Sequence, residues 1–143
     1  MGIGDADSVE HGAGSGTWII VPVSCALPGR APGAPKLSGS DGIRLLSGSM
    51  LARICGSEEI REEFFCNYEV NPDFEKPLAA AGLHITGRGP RGEVRAVELP
   101  QNDFFLATLF QPQLTSEATG EAHPVLLAYL EAAQARRSAA ADD

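Results

Sequence analysis

The stretch AGLHITGRGPRGEVRAVELPQNDFFLATLF, residues 81–110, decides the fold class. Leu83-His-Ile-Thr86 reads as a short strand and Gly87 to Gly92 as a turn. Glu93-Val-Arg-Ala-Val-Glu-Leu99 alternates as a half-buried strand does. Phe104-Phe-Leu-Ala-Thr-Leu-Phe110 is almost wholly apolar, the pattern of a central strand covered on both faces.

Working upstream, Asn71-Pro-Asp73 opens a helix that runs to about Ala81, with Gly82 as its C-cap. Phe64 to Val70 is rich in aromatics and reads as a strand. Ser57 before Glu58 and Glu59 predicts a short helical turn, its hydroxyl capping and its acids favoured by the helix dipole. Ile43 to Leu46 and Leu51 to Ile54, parted by Ser-Gly-Ser, predict a hairpin or strand pair. Leu27 to Gly42 is dense in Pro and Gly and predicts a long loop. Trp18 to Val23 predicts a buried strand that Pro22 shortens or places at an edge. Residues 1–16 are small and polar, a flexible N-terminal segment.

Downstream, Pro124 to about Arg137 predicts a helix with Val125, Leu126, Tyr129, Leu130 and Ala133 on one stripe. Residues 138–143 read as a disordered tail, which leaves 17–137 as the folded part. Mixed strands and helices in this order mean an α/β layered domain.

Bulk composition excludes several function classes. Apolar residues make up 43% of 143, enough for one real core and too few residues for two ordinary domains. A net charge of -8 argues against nucleic acid, because phosphate binding rests on Lys and Arg. No run approaches the roughly 18 apolar residues of a membrane span. Cys25, Cys55 and Cys66 are an odd, widely spaced set that implies neither a disulfide framework nor zinc. A reducing, cytoplasmic location is the default. No histidine pair has metal-ligand spacing, so no metal and no cofactor is assigned.

Several segments, in order, resemble the C-terminal end of the glutamine amidotransferase domain of CTP synthase. Gly2-Ile-Gly-Asp-Ala-Asp-Ser8 is similar to the segment just beyond that family's nucleophile helix. Tyr68-Glu-Val-Asn-Pro72 is similar to its Tyr-Glu-(Phe/Val)-Asn segment, and Ala81-Gly-Leu-His-Ile-Thr-Gly87, Gly92-Glu93 and Val97-Glu-Leu99 to its next conserved stretch. Phe104 to Gln113, followed by His123-Pro-Val-Leu126, is similar to its Phe-His-Pro-Glu ending. The Leu-Phe-Gln-Pro-Gln form resembles the subgroup of CTP synthase C-terminal region-related proteins, some of which contain selenocysteine.

The resemblance implies a three-layer, flavodoxin-like class I amidotransferase sheet, of which this chain supplies the C-terminal half. Members hydrolyse glutamine with a Cys-His-Glu triad. Here Gln111 and Gln113 stand at the His and Glu positions, and an amide has no nitrogen that can serve as a base near neutral pH. The family's Arg/His run reads Glu63-Phe-Phe-Cys-Asn67, without the cations that hold a carboxylate substrate. A Gly-x-Cys-x-Gly elbow occurs nowhere in the sequence. The expectation is a non-catalytic, amidotransferase-like module.

The resemblance also implies ligand-binding positions at Cys66, Tyr68, Gln111 and Gln113, for a small amide or a metabolite. Cys25 and Cys66 are the candidate reactive thiols, each with a structural reading beside it. Glu63 and Glu69 nearby argue against a Cys66 thiolate. Cys55 reads as core, His84 as a surface or structural residue, His123 as a capping or packing residue, and His11 as part of a loop. Glu58, Glu59, Glu62 and Glu63 read as a solvated helical face, and Glu117 and Glu121 as loop residues. Met1-Gly2 falls where the family continues from its nucleophile helix, so the expectation is a piece of a longer polypeptide. A partner chain or a homo-oligomer covering an incomplete sheet, a working piece of a CTP synthase completed in trans, and a thiol-dependent enzyme are the alternatives.

Overall fold

The computed structural model describes residues 2–12, 16–23 and 38–140. Its strands are β1 (Ala6–Ser8), β2 (Thr17–Pro22), β3 (Ser38–Leu45), β4 (Glu59–Phe65), β5 (Tyr68–Val70), β6 (His84–Arg88), β7 (Val94–Glu98) and β8 (Leu106–Thr108). Its α-helices are α1 (Met50–Cys55), α2 (Glu75–Ala80), α3 (Pro112–Thr119) and α4 (Pro124–Ala139). The strands form two sheets, β1-β2-β5 and β4-β3-β6-β7-β8. Among the described residues only β1 and β2 pair in parallel; every other pairing there is antiparallel. Among the described residues no helix is long and apolar enough to cross a membrane.

The β6–β7 hairpin forms where alternation predicts it, with Ile85 opposite Val97 and His84 opposite Glu98. Gly87 is required there, since a Cβ on it would lie 2.9 Å from that of Ala96 and 3.3 Å from Ile43. The apolar run after it behaves differently. Only Leu106–Thr108 pairs, and β8 lies at the sheet edge rather than at its centre. Phe110, beyond the strand, fills the core at 2% exposure instead. It packs with Ile43, Leu45, Leu51, Ala52, Ala96 and Val125.

Local chemistry explains the other departures. The expected strand pair over 43–54 is a strand followed by helix α1, because the Ser49 hydroxyl accepts from the Ala52 N–H and Gly56 closes the helix at φ 65°. Glu98 on β7 completes that cap: its two carboxylate oxygens accept from Met50 N and Leu51 N, both at 2.9 Å. The acidic stretch after Ser57 is strand β4, paired along its whole length with β3, and not a helical turn. Strand β3 itself begins at Ser38, inside the stretch expected to be a loop. The expected strand over 64–70 is two strands in different sheets, with Cys66 and Asn67 at the crossing.

At the N-terminus, β1 pairs with β2 where only a flexible segment is expected. Pro22 ends β2 beyond its pairing with β1, where its missing N–H costs no ladder bond on that side. The helix expected from Asn71 is a single 3₁₀ turn at Pro72–Phe74 running into α2. Helix α3 is new relative to the sequence reading and takes Glu117 out of its expected loop. Helix α4 extends through Ala139, into the expected tail. Of its apolar stripe only Val125 is buried, while Tyr129 and Leu130 are 57% and 61% exposed.

Candidate functional site

The turn from Phe110 into α3 is built by its backbone. The buried Phe110 ring anchors one end, and the Gln111 N–H donates to the Glu63 carbonyl on β4 at 2.9 Å. Pro112 takes the first helical position, where its lack of an N–H does no harm. Gln111 is half-buried at the N-cap with no side-chain capping bond, and Gln113 is exposed on α3. Among the described residues neither glutamine amide is held by another side chain, so both are available to a ligand.

Cys66 and Tyr68 stand where the chain leaves β4 for β5. The Cys66 thiol donates to the Tyr68 carbonyl at 3.2 Å and accepts from the Tyr68 N–H at 3.3 Å. The sulfur thus bridges a tight local crossing, and both of its hydrogen-bonding roles are occupied by backbone. Glu63, which holds the Gln111 backbone, lies three residues before Cys66, so the turn and the crossing are within about 10 Å along the chain. Gln111 thus meets β4 at Glu63, and Cys66 and Tyr68 follow beyond the end of that strand. Gln113 is exposed to solvent on α3. Cys25 lies outside the described residues.

Sequence reasoning missed the buried acid beside this turn. Glu62 is not on a solvated helical face: it is 5% exposed, with one carboxylate oxygen 2.8 Å from His123 Nε2 and the other 2.7 Å from the Thr115 hydroxyl. His123 is the N-cap of α4 as expected, its Nδ1 accepting from the Val125 N–H at 3.1 Å. With Nδ1 accepting, the ring proton sits on Nε2 and faces Glu62. Neither ring nitrogen is left to take a proton from a substrate, so this His–Glu pair is not a general base. Strand alternation through Ile60, Glu62 and Phe64 was the available signal for Glu62. Cys55, at the end of α1 and packed on the core, is pushed up to about 11, first by burial and then by the Glu62 charge. It carries almost no thiolate at neutral pH.

A second charged network lies on β7 and the turn before it. The Arg95 guanidinium is 2.9 Å from Glu93, 3.5 Å from Asp41 and stacked 4.9 Å from the Phe64 ring centre. Arg91 reaches both Glu69 at 3.4 Å and Glu93 at 3.5 Å. Burial pushes the Glu69 carboxyl above its ordinary value, and the Arg91 charge only partly offsets this. For Glu93 burial acts in the same direction, but its own backbone N–H together with Arg95 and Arg91 outweighs it and holds the carboxyl low. The two acids are buried and paired, so the network is satisfied rather than open to a ligand. Exposed His84 has no role in either group. Among the described residues no three His, Cys, Asp or Glu side chains come together to hold a metal.

No protein-family profile matches the chain. It is 35% identical over 139 residues to a CTP synthase of Methanoculleus marisnigri, covering 96% of this chain and 25% of that protein. A CTP synthase of Syntrophus aciditrophicus is 38% identical over 112 residues, 78% of this chain and 21% of the relative. The solved glutaminase domain of Trypanosoma brucei CTPS, with bound acivicin, superposes with a TM-score of 0.81 at 29% identity. The chain is homologous to the glutaminase domain of CTP synthase.

The glutaminase-domain match covers 93% of this chain and 52% of the solved one, while the chain spans about a quarter of the length of the CTP synthases it matches. The α/β class I amidotransferase-like fold that the resemblance implies is the fold observed. Within it, the strands described here are mostly antiparallel and belong to two small curled sheets.

Proposed function

We propose that this chain is a glutaminase-like module of the CTP synthase family that does not itself hydrolyse glutamine. One observation carries the reading: at the turn that resembles the family's Phe-His-Pro-Glu segment, the side chains are the amides Gln111 and Gln113. An amide neither takes a proton from a nucleophile nor stabilises an imidazolium. The His and thiol groups near that turn are committed elsewhere, His123 to Glu62 and Val125, and Cys66 to the Tyr68 backbone. This speaks against a thiol-dependent activity at Cys66. The half-buried Gln111 amide, which no other side chain among the described residues holds, fits recognition of a small polar ligand such as an amide.

The test is glutamate release from L-glutamine by the purified protein, alongside binding of L-glutamine followed by amide chemical shifts. No release, with shifts at Gln111 and Tyr68, is the expected result. Release at a rate that survives removal of Cys66 and of Cys25 overturns the reading outright. Release lost with either cysteine replaces it by the thiol-enzyme reading.

A second reading, completion by a further polypeptide, is favoured by a half-open cavity of about 260 Å³ between the two sheets. Ile19, Ile20, Val70, Val94, Val97 and Leu109 line it, and an apolar cleft of this kind is favourable to cover. Under this reading the module works as part of a larger glutaminase-type domain, with the covering chain supplying further residues. Sedimentation of the purified protein separates the cases: a monomer that does not bind a hydrophobic dye counts against it.

A further inference from the structure

We infer that Glu62, Thr115 and His123 are positioning residues that lock the Gln111 turn to the seating of helix α4. The inference goes beyond ligand binding and holds whether or not the turn binds an amide.

Strand β4 and two consecutive helices, contributing residues 53 and 61 positions after Glu62, meet at one carboxylate. Glu62 comes from β4, Thr115 from one helical turn into α3, and His123 from the start of α4. Each Glu62 oxygen accepts from a different element, Thr115 at 2.7 Å and His123 at 2.8 Å. Two further links close the ring. The His123 N–H donates to the Ser116 hydroxyl at 2.8 Å, and that hydroxyl donates to the Pro112 carbonyl at 3.0 Å. The Gln111 N–H donates to the Glu63 carbonyl, on the residue next to Glu62. The turn is therefore tied to β4 by its own backbone at one point, and through α3, α4 and Glu62 at another.

The cluster is directional as well as tight. Because the Val125 N–H points at Nδ1, only one neutral tautomer of His123 satisfies both neighbours, with its proton on Nε2 toward Glu62. Capping α4 and bridging to Glu62 are then one event on one ring. The side chains of Glu62 and His123 are 6% and 3% exposed, so water does not substitute for a lost partner. Phe110, whose ring lies 6.2 Å from that of His123, packs against the same cluster and carries the turn directly after it.

Site-resolved amide hydrogen exchange tests this, because a structural role lowers protection everywhere while a positioning role lowers it locally. Two gentle variants separate the functions of the cluster. Thr115→Val removes one hydroxyl at constant shape. His123→Asn keeps a good N-cap for α4 but is too short to bridge to Glu62. In both, exchange at Gln111 and Leu114 accelerates by about tenfold or more, the effect of losing one net buried hydrogen bond. Exchange at Leu46 and Asn71, bonded to Thr86 and Ile19 in other parts of the fold, stays within about twofold. Thr115→Ser restores the native pattern. Equal acceleration at all four amides, or none at Gln111, overturns the inference. Ring nitrogen shifts of His123 give a second readout: the tautomer protonated on Nε2 is expected, and one protonated on Nδ1 overturns it.

Discussion

Glu62 and Gln111 meet at neighbouring positions of β4, Glu62 as its middle residue and Gln111 through the Glu63 carbonyl, and differ in almost every physical respect. Glu62 is an acid taken out of water, with both oxygens satisfied by donors from two helices. Gln111 is an uncharged amide whose backbone is fixed and whose side chain, among the described residues, is not. The charged residue holds the scaffold, and the neutral one has an amide that no other side chain among the described residues engages. The expectation from charge alone runs the other way, with acids on a solvated face and chemistry at ionisable groups. What the contrast teaches is that a buried carboxylate surrounded by donors serves packing, whereas a polar group that the fold leaves unengaged is the one open to function.

This contrast can be broken or sharpened by substitutions at increasing distance from the packed corner. The largest effect is expected at the anchor. Phe110→Ala, at a fully buried ring, lowers unfolding free energy by about 4 kcal/mol in urea denaturation. A loss under about 1 kcal/mol would show that the corner is loosely packed and that the turn is not anchored by it. Glu98→Ala comes next. Removing the carboxylate leaves the Met50 and Leu51 N–H groups at the start of α1 without an acceptor, and about 3 kcal/mol is lost. If Glu98→Gln is no better than alanine, the charge and not the shape is what α1 requires.

The pair Glu69 and Glu93 sharpens the comparison through pH, since the two share Arg91 and are shifted in opposite directions. Glu69 has a folded value above the ordinary 4.5, so the unfolded chain releases that proton first, and stability falls as pH rises from 4.5 through the raised value. Glu93 has a folded value below 4.5, so its stabilisation is present above 4.5 and lost as pH falls through the lowered value. Denaturation curves from pH 3 to pH 7 should therefore show Glu69→Gln gaining on the parent as pH rises, and Glu93→Gln losing ground. Parallel curves for the two variants would mean that Arg91 does not distinguish them. The smallest effect belongs to Gln113→Ala on exposed α3, within about 0.5 kcal/mol of the parent by thermal unfolding.

Legibility in the sequence followed the range of the determining interaction. The β6–β7 hairpin, the final helix and the strand before Pro22 were readable because alternation, a proline at the first helical turn and a β-branched run are local signals. Segment order carried the resemblance to the glutaminase domain, and with it the Gln111 and Gln113 positions. Glu62 was misread because four acids in six residues look like a solvated helix until a partner strand, β3, imposes a period of two. Helix α1 was misread because its cap is shared between Ser49 and Glu98, 49 residues apart in sequence. Strand β8 was placed at the centre because an apolar run reports burial and says nothing about how many strands lie beyond it.

By itself, then, the sequence determined the mixed α/β class, the absence of an imidazole and a carboxylate at positions 111 and 113, and a net charge of -8. Those are matters of residue identity and short-range pattern, which are written along the chain. Tertiary structure alone decided that Glu62 and His123 are partners, that the Cys66 sulfur is tied to its own backbone, and that Cys55 is held protonated. The reason is that burial sets the protonation and hydrogen-bonding state of a polar group, and burial depends on which distant segments arrive around it.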